Sequence, residues 1–313
     1  MGKALQRQRP PRRLHQRPGD RQERSPARAR HLARLRHQPR LRTPQAPQLG
    51  RRHLWTTRYA TAGADYAEGL ALDSSNNAYI TGWSNLGGVI KAATLKISPA
   101  GAKLWTKRIE AGAGQTYGNA IAVPSAGGGV YLGGNASGGM STRQNVLVAK
   151  LSRATGDVLW SVLDDPVGGN DEQCLDLALD PAGNAAWVGM TTDGLGLSHG
   201  VTVRTNTSGG VTWRRFLYVD GPDNETNFQT VTVDNAGGVY SGGYATRLLP
   251  GVEFTVQHIL ANDTYGWTFF YGGNAAKTDI CRDLALTSGA IYAAGLVETI
   301  AGGTDAYLVK IDR

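Results

Sequence analysis

Acidic side chains, set mostly in pairs, are the residues of this sequence that could do chemistry. Asp65 and Glu68, Asp171 and Glu172, Asp223 and Glu225, and Asp279 each stand ahead of, or just at, a short apolar run. Two carboxylates facing each other across a cleft can work as acid and base, or acid and nucleophile, on a glycosidic bond. Asp171 with an acid from another loop is the pair such an enzyme would use. Gathered at one mouth, the same side chains would suit a cation such as calcium or a hydroxyl-rich ligand. Asp is also the residue that starts turns, because its carboxylate accepts backbone N–H groups two residues on. Turn chemistry alone explains Asp at these places, so the seven acids stand as candidate ligand-binding residues and no catalytic residue or metal ligand is assigned. His199 and His258 sit in neither a metal-ligand nor a triad spacing. Cys174 and Cys281 each precede a strand leucine by three residues, where other units carry Ala67, Gly118 and Phe228, so both read as packed, inert free thiols.

The elements that would position these acids come from a repeat. Trp55, Trp105, Trp160, Trp213 and Trp267 are spaced 50, 55, 53 and 54 residues apart. After each comes a first apolar run, such as "GLALD" (69–73) or "DLALD" (176–180). A turn and a second run follow, such as "AYITG" (78–82) or "VYSGG" (239–243). A longer loop leads to a third, such as "ATLKIS" (93–98) or "YLVKID" (307–312). The runs alternate or are β-branched and are bounded by Gly, Asn, Asp or Ser, which makes them strands. The turns "DSSNN", "DPAGN" and "DNAGG" place Asp first and Asn or Gly late, as tight hairpins need. Four antiparallel strands repeated every fifty or so residues are the blade of an all-β propeller. Within strand one a small residue (Ala71, Ala122, Ala178, Thr232, Ala285) lies between bulkier ones and lets neighbouring blades approach. The tryptophans lie on strand four, where an indole can cover the seam between blades, and losing a buried one costs about 3–5 kcal/mol.

From Leu54 the sequence reads as one fourth strand, four whole blades and three strands of a fifth. Pairing of 54–60 with 306–312 would then close a five-bladed ring and remove its free edge, a piece of a larger propeller being the alternative. The long loops between strands two and three share a face with the acid-bearing loops before strand one, and loops on a rigid scaffold are where binding resides.

The stretch "RYATAGADYAEGLALDSSNNAYITGWS" (58–84) resembles the repeat of the bacterial β-propeller-repeat (SBBP-type) proteins, through Gly63, Asp65, Tyr66, Ala67, Leu70, Ala71, Leu72, Asp73, Asn77, Tyr79, Ile80, Thr81 and Gly82. Later units are degenerate; Pro124, for instance, replaces the strand-one Asp. The resemblance implies a propeller on a secreted or cell-surface protein. A second stretch, "AKLSRATGDVLW" (149–160), is similar to a quinoprotein propeller motif with Ser152 where that motif has Asp. One blade matches, so no quinone cofactor is expected.

Charge divides the chain. Residues 1–53 hold sixteen Lys/Arg against two acids, a net of +14, with seven prolines and no aromatic residue, whereas from Leu54 onward seventeen Lys/Arg meet twenty-three acids, a net of −6. The basic balance therefore belongs to a tail that cannot bury enough apolar surface to order itself. Two domains are expected: a disordered tail over 1–53 and the propeller over 54–313. A mis-assigned start explains the tail best, and a nucleic-acid partner follows only if it is genuine. No run of signal-peptide or membrane-spanning length occurs in the sequence. The function expected is non-catalytic: a scaffold recognising a protein or polysaccharide with its long-loop face. The alternative is a glycosidase-like enzyme with paired carboxylates at the channel mouth.

Overall fold

Local hydrogen bonding explains why each hairpin turns where it does. The Asp73 carboxylate accepts the backbone N–H groups of Ser75 and Asn77, the Asn77 amide and the Tyr79 hydroxyl. Burial raises its pKa, but these donors, led by Asn77, win and hold it at about 2. Asp234 accepts Ala236 N, Gly238 N and Tyr240 OH in the same way, and Asp180 accepts both nitrogens of Asn184. The third residue after each Asp is left-handed, Asn76 at φ 59°, Gly183 at 84° and Gly237 at 87°, which is why only Asn or Gly stands there.

The computed structural model describes residues 52–112, 114–125, 127–137, 143–166, 171–220, 224–247, 251–272 and 277–313. Apart from Arg52 and His53, the tail lies outside the described residues. The unit Leu54–Arg313 is built of strands in five antiparallel meanders. The first holds β1 (Asp65–Leu72), β2 (Ala78–Leu86), β3 (Val89–Ile97) and β4 (Lys103–Ile109). The second holds β5 (Thr116–Ala122), β6 (Gly129–Ser137), β7 (Gln144–Ser152) and β8 (Val158–Asp164). The third holds β9 (Glu172–Leu179), β10 (Ala185–Thr192), β11 (Ser198–Thr205) and β12 (Val211–Leu217). The fourth holds β13 (Thr226–Val233), β14 (Val239–Thr246), β15 (Val252–Ile259) and β16 (Tyr265–Tyr271). The fifth holds β17 (Asp279–Leu286), β18 (Ala290–Glu298) and β19 (Thr304–Asp312). The all-β propeller architecture expected from the repeat is what forms. No helix occurs among the described residues, so none there is long and apolar enough to cross a membrane.

Consecutive blades bury apolar seams between them. Tyr79, Ala92 and Ile109 of the first sheet meet Ile121, Leu132, Leu147 and Leu151 of the second, and three similar clusters join the later sheets. Ala71, Ala122 and Ala178 pack against these seams, as small strand-one residues should. The tryptophans cap them: Trp105 Nε1 donates to Arg153 O at 3.2 Å and Trp160 Nε1 to Thr207 O at 3.1 Å, each across to the next blade. Each indole lies flat on a turn glycine of that blade, where an added Cβ would come within 2.8 Å at Gly156 and 2.9 Å at Gly209.

The closing pair is where the structure corrects the sequence reading. Residues 54–60 form no strand, and among the described residues the fifth sheet has three strands, β19 being paired only to β18. Instead Trp55 Nε1 donates to Pro99 O at 2.9 Å and Thr57 Oγ1 to Gly101 O. The segment thus lies over the outer half of the first sheet, above Ile80, Ala93, Leu95 and Ile97. That apolar face needs covering, and the indole-on-turn contact used at the other seams holds the segment there. Leu70 and Leu308, at the two ends of the series, are 67% and 66% exposed.

Candidate functional site

In every blade the innermost strand slips register by one residue. The slips fall between Ala67 and Gly69, Gly118 and Ala120, Cys174 and Asp176, Phe228 and Thr230, and Cys281 and Asp283. The extra residue in each is Glu68, Asn119, Leu175, Gln229 or Arg282. A bulge re-aims its side chain and often stands beside a functional site. Its partner across the hairpin is always glycine: Gly82, Gly134, Gly189, Gly243 and Gly295. A Cβ at any of these would sit 1.8–1.9 Å from the carbonyl oxygen of the strand opposite.

Three of the bulged residues, Glu68, Asn119 and Leu175, line a cavity of about 570 Å³ on the long-loop face of the first three blades. Gln229 and Arg282 stand together on the later blades, the Arg282 guanidinium donating to Gln229 Oε1. Strand two adds Trp83 and Asn135 to the cavity, β7 adds Gln144, and strand one adds Tyr117 and Gln173. Trp83 is fixed by Tyr66 stacked on it, 4.1 Å between centroids, and by Tyr117 edge-on at 5.9 Å. Asn119 Nδ2 donates to Asn135 Oδ1 at 3.0 Å and to Cys174 O at 2.8 Å. Asn135 Nδ2 donates in turn to Gln144 Oε1. An amide carries two donor hydrogens and two acceptor lone pairs, so this row keeps hydrogen-bonding capacity for a ligand.

Of the acids singled out by sequence, the structure brings Glu68 to the cavity lining. Asp171 stands behind it, accepting Gln144 N at 2.9 Å and so steadying that amide. Asp65 accepts Thr61 N at 2.7 Å and borders the smaller cavity under residues 55–59. Burial raises the Asp65 pKa, and the bonds from Thr61 more than offset it, leaving it lowered. Glu172 is fully buried, and burial first, then Asp165 and Asp171, lifts its carboxyl to about 7. Asp279 is buried and accepts Glu298 N at 3.0 Å. Glu225 exchanges backbone bonds with Thr246, its N donating to Thr246 Oγ1 at 2.7 Å. Asp223 lies outside the described residues. Among the described residues no group of three or more His, Cys, Asp or Glu is placed to hold a metal ion. His199 pairs with Asp193, and His258 stacks on Tyr240. Cys174 and Cys281 are free and buried, and burial lifts the Cys281 thiol to about 12.

The amides and Trp83 were the residues that sequence reasoning missed. Their signal was the glycine within strand two in all five units, because a glycine repeated at one place in every unit marks where the opposite strand bulges. Residues 54–86 match the sequence model of the β-propeller repeat, SBBP. The chain carries an SBBP β-propeller repeat. Glu68 and Trp83 both fall within that repeat, and the other lining residues come from the second and third units. No curated protein matches the chain. Among solved structures, it is similar to the quinohemoprotein alcohol dehydrogenase of Comamonas testosteroni, at 13% identity and TM-score 0.47, over 79% of this chain and 40% of that one. It is similar to a protein of unknown function from Dyadobacter fermentans, at 12% and 0.48, over 78% and 76%. BamB from Moraxella catarrhalis matches at 15% and 0.39, over 80% and 77%.

Proposed function

We propose that this propeller is a non-catalytic binding protein that holds a hydroxyl-rich ligand, a polysaccharide, in the cavity of its first three blades. The observation that supports it is the lining: four side-chain amides, two aromatic rings and one carboxylate on a scaffold already in place. Amides match sugar hydroxyls because each can donate and accept. Aromatic rings give rigid apolar contact to the C–H faces of a sugar. Among the described residues Glu68 is the carboxylate of that lining, and the side chains around it are mostly amides and rings. Polysaccharides are met outside the cell, and a secreted or cell-surface setting, as the resemblance to SBBP-type proteins implies, supports that reading.

Calorimetric titration of the full chain with a panel of soluble polysaccharides tests this reading. Binding is expected to one chemical class, and Trp83→Ala weakens it by about tenfold or more, the loss of one aromatic contact at the centre of a site. Glu68→Gln retains most of the affinity. Release of reducing ends that disappears in Glu68→Gln would instead establish the glycosidase reading, and failure of every polysaccharide to bind would leave a protein ligand.

A further inference from the structure

The seam between the second and third blades differs from the seams on either side of it at one buried position. Thr116 and Thr226 each strap strand one to strands three and four of the blade before, through Ala92 N and Ile109 O in one seam and Gly200 N and Leu217 O in the other. By register the same pair in the middle seam is Val146 N and Asp164 O. Glu172 holds the threonine position there. It is fully buried, bonded through Oε1 to Thr191 Oγ1 at 3.3 Å, and its Oε2 has no partner among the described residues.

Carboxylates crowd this acid. Asp164 ends β8, Asp165 follows it, and Asp171 precedes Glu172 in the chain. Arg214 donates to both oxygens of Asp164, at 2.6 and 2.7 Å. On the third sheet Thr191 stands between Glu172 and His199, and His199 pairs with Asp193. Arg143, ahead of β7, is exposed. Burial first, then Asp165 and Asp171, favours the neutral carboxyl of Glu172.

Gln144 links this position to the cavity. Its backbone N–H donates to Asp171 Oδ1 at 2.9 Å, and its Oε1 accepts Asn135 Nδ2, while Asn135 Oδ1 accepts Asn119 Nδ2 at 3.0 Å. Gln144 also lies two residues before Val146, so the two N–H groups point to the same side of β7. A charge on Glu172 repels the Asp171 carboxylate and draws Val146 N toward the unpartnered Oε2. Gln144 is bonded to the first and tied through the chain to the second, and it cannot follow both.

We propose that Glu172 is a proton-controlled latch on the cavity: protonated, it leaves the amide row assembled, and ionised, it frees Gln144 from Asp171 and weakens ligand binding. What is bound rests on the polysaccharide reading above, whereas the latch belongs to the chain itself. The switch is one charge in a buried seam, and the element it biases is the start of β7. Linkage is reciprocal, so a ligand held by the assembled row keeps the proton on Glu172.

The backbone amide of Gln144 is followed by NMR in the isotope-labelled full chain, without ligand, from pH 5 to pH 9. Its resonance is expected to titrate with a midpoint of about 7, and in Glu172→Gln to hold its low-pH position throughout. Glu172→Thr, which restores the hydroxyl of the neighbouring seams, holds it likewise. Dextran, a soluble β-glucan and a galactomannan are then titrated calorimetrically at pH 5.5 and pH 8.5. Whichever binds is expected to lose about tenfold in affinity at the higher pH, and the loss disappears in Glu172→Gln. A Gln144 amide that does not titrate, or that titrates equally in Glu172→Gln, overturns the latch even where a polysaccharide binds, and so does an affinity that ignores pH. A Gln144 amide that titrates only in the presence of Glu172, with no polysaccharide bound, upholds the latch and overturns the polysaccharide reading alone.

Discussion

Thr116, Glu172 and Thr226 occupy one buried position on three successive blades, and the acid does not repeat the threonines' pair of bonds. Thr116 Oγ1 donates to Ile109 O at 2.7 Å and accepts Ala92 N at 2.8 Å; Thr226 Oγ1 makes the same pair with Leu217 O and Gly200 N. The position calls for a group that both donates and accepts. A neutral carboxylic acid does so and a carboxylate does not. Buried Glu172 receives Thr191 Oγ1 at 3.3 Å, while its Oε2 finds no partner among the described residues. Its carboxyl moves up from 4.5 to about 7 on folding, so the neutral form's contribution is complete below pH 4.5 and is lost as pH rises through 7. Thermal unfolding at pH 5 and pH 8 is expected to show the chain less stable at pH 8, by on the order of 1–3 kcal/mol from this group. Glu172→Gln removes that difference, and an unchanged pH dependence in the variant would assign the effect to other groups. The same comparison shows why acids are poor guides in this sequence: Asp65, Glu172 and Asp279 start innermost strands, and their partners are local backbone and hydroxyl groups.

At the scale of the element, the bulge and its glycine form one device. Gly134→Ala would place a Cβ 1.9 Å from Tyr117 O, a backbone atom that cannot swing aside. The expected cost is about 2–4 kcal/mol in urea unfolding, with Asn119 and Tyr117 displaced and binding lost as well. Gly127→Ala, whose Cβ meets nothing within 4 Å, makes a stability control carrying only its own backbone strain at φ 93°. Strands, hairpin turns and seam tryptophans were legible because alternation, Asp-first turns and a spacing near fifty residues are each written in consecutive residues. The bulges were not, because an extra residue leaves alternation intact on either side and shows only in the pairing. Residues 54–60 carry the pattern of a fourth strand, but sequence cannot distinguish pairing along an edge from covering a sheet face. Here residues 54–60 form no strand, while Trp55 makes on Gly101 and Pro99 the next-blade contact that Trp105 and Trp160 make from their fourth strands.

At the scale of the molecule, five meanders are joined by repeated apolar seams. That much follows from the repeat. The cavity does not, because Glu68, Asn119, Asn135, Gln144 and Gln173 are scattered over more than a hundred residues and meet only when three blades stack. Sequence reading, drawn to charge, placed weight on seven acids; among the described residues folding brings Glu68 to a lining made mostly of amides and rings. The central claim is that this lining holds an intact polysaccharide. The measurement that tests it most directly is a crystal structure of the full chain with the tightest-binding oligosaccharide from the titrations. An intact sugar beside Trp83, with hydroxyls in hydrogen-bond reach of Asn119, Asn135 and Gln144, is the result expected. A sugar bound elsewhere, or cleaved beside Glu68, would contradict the account.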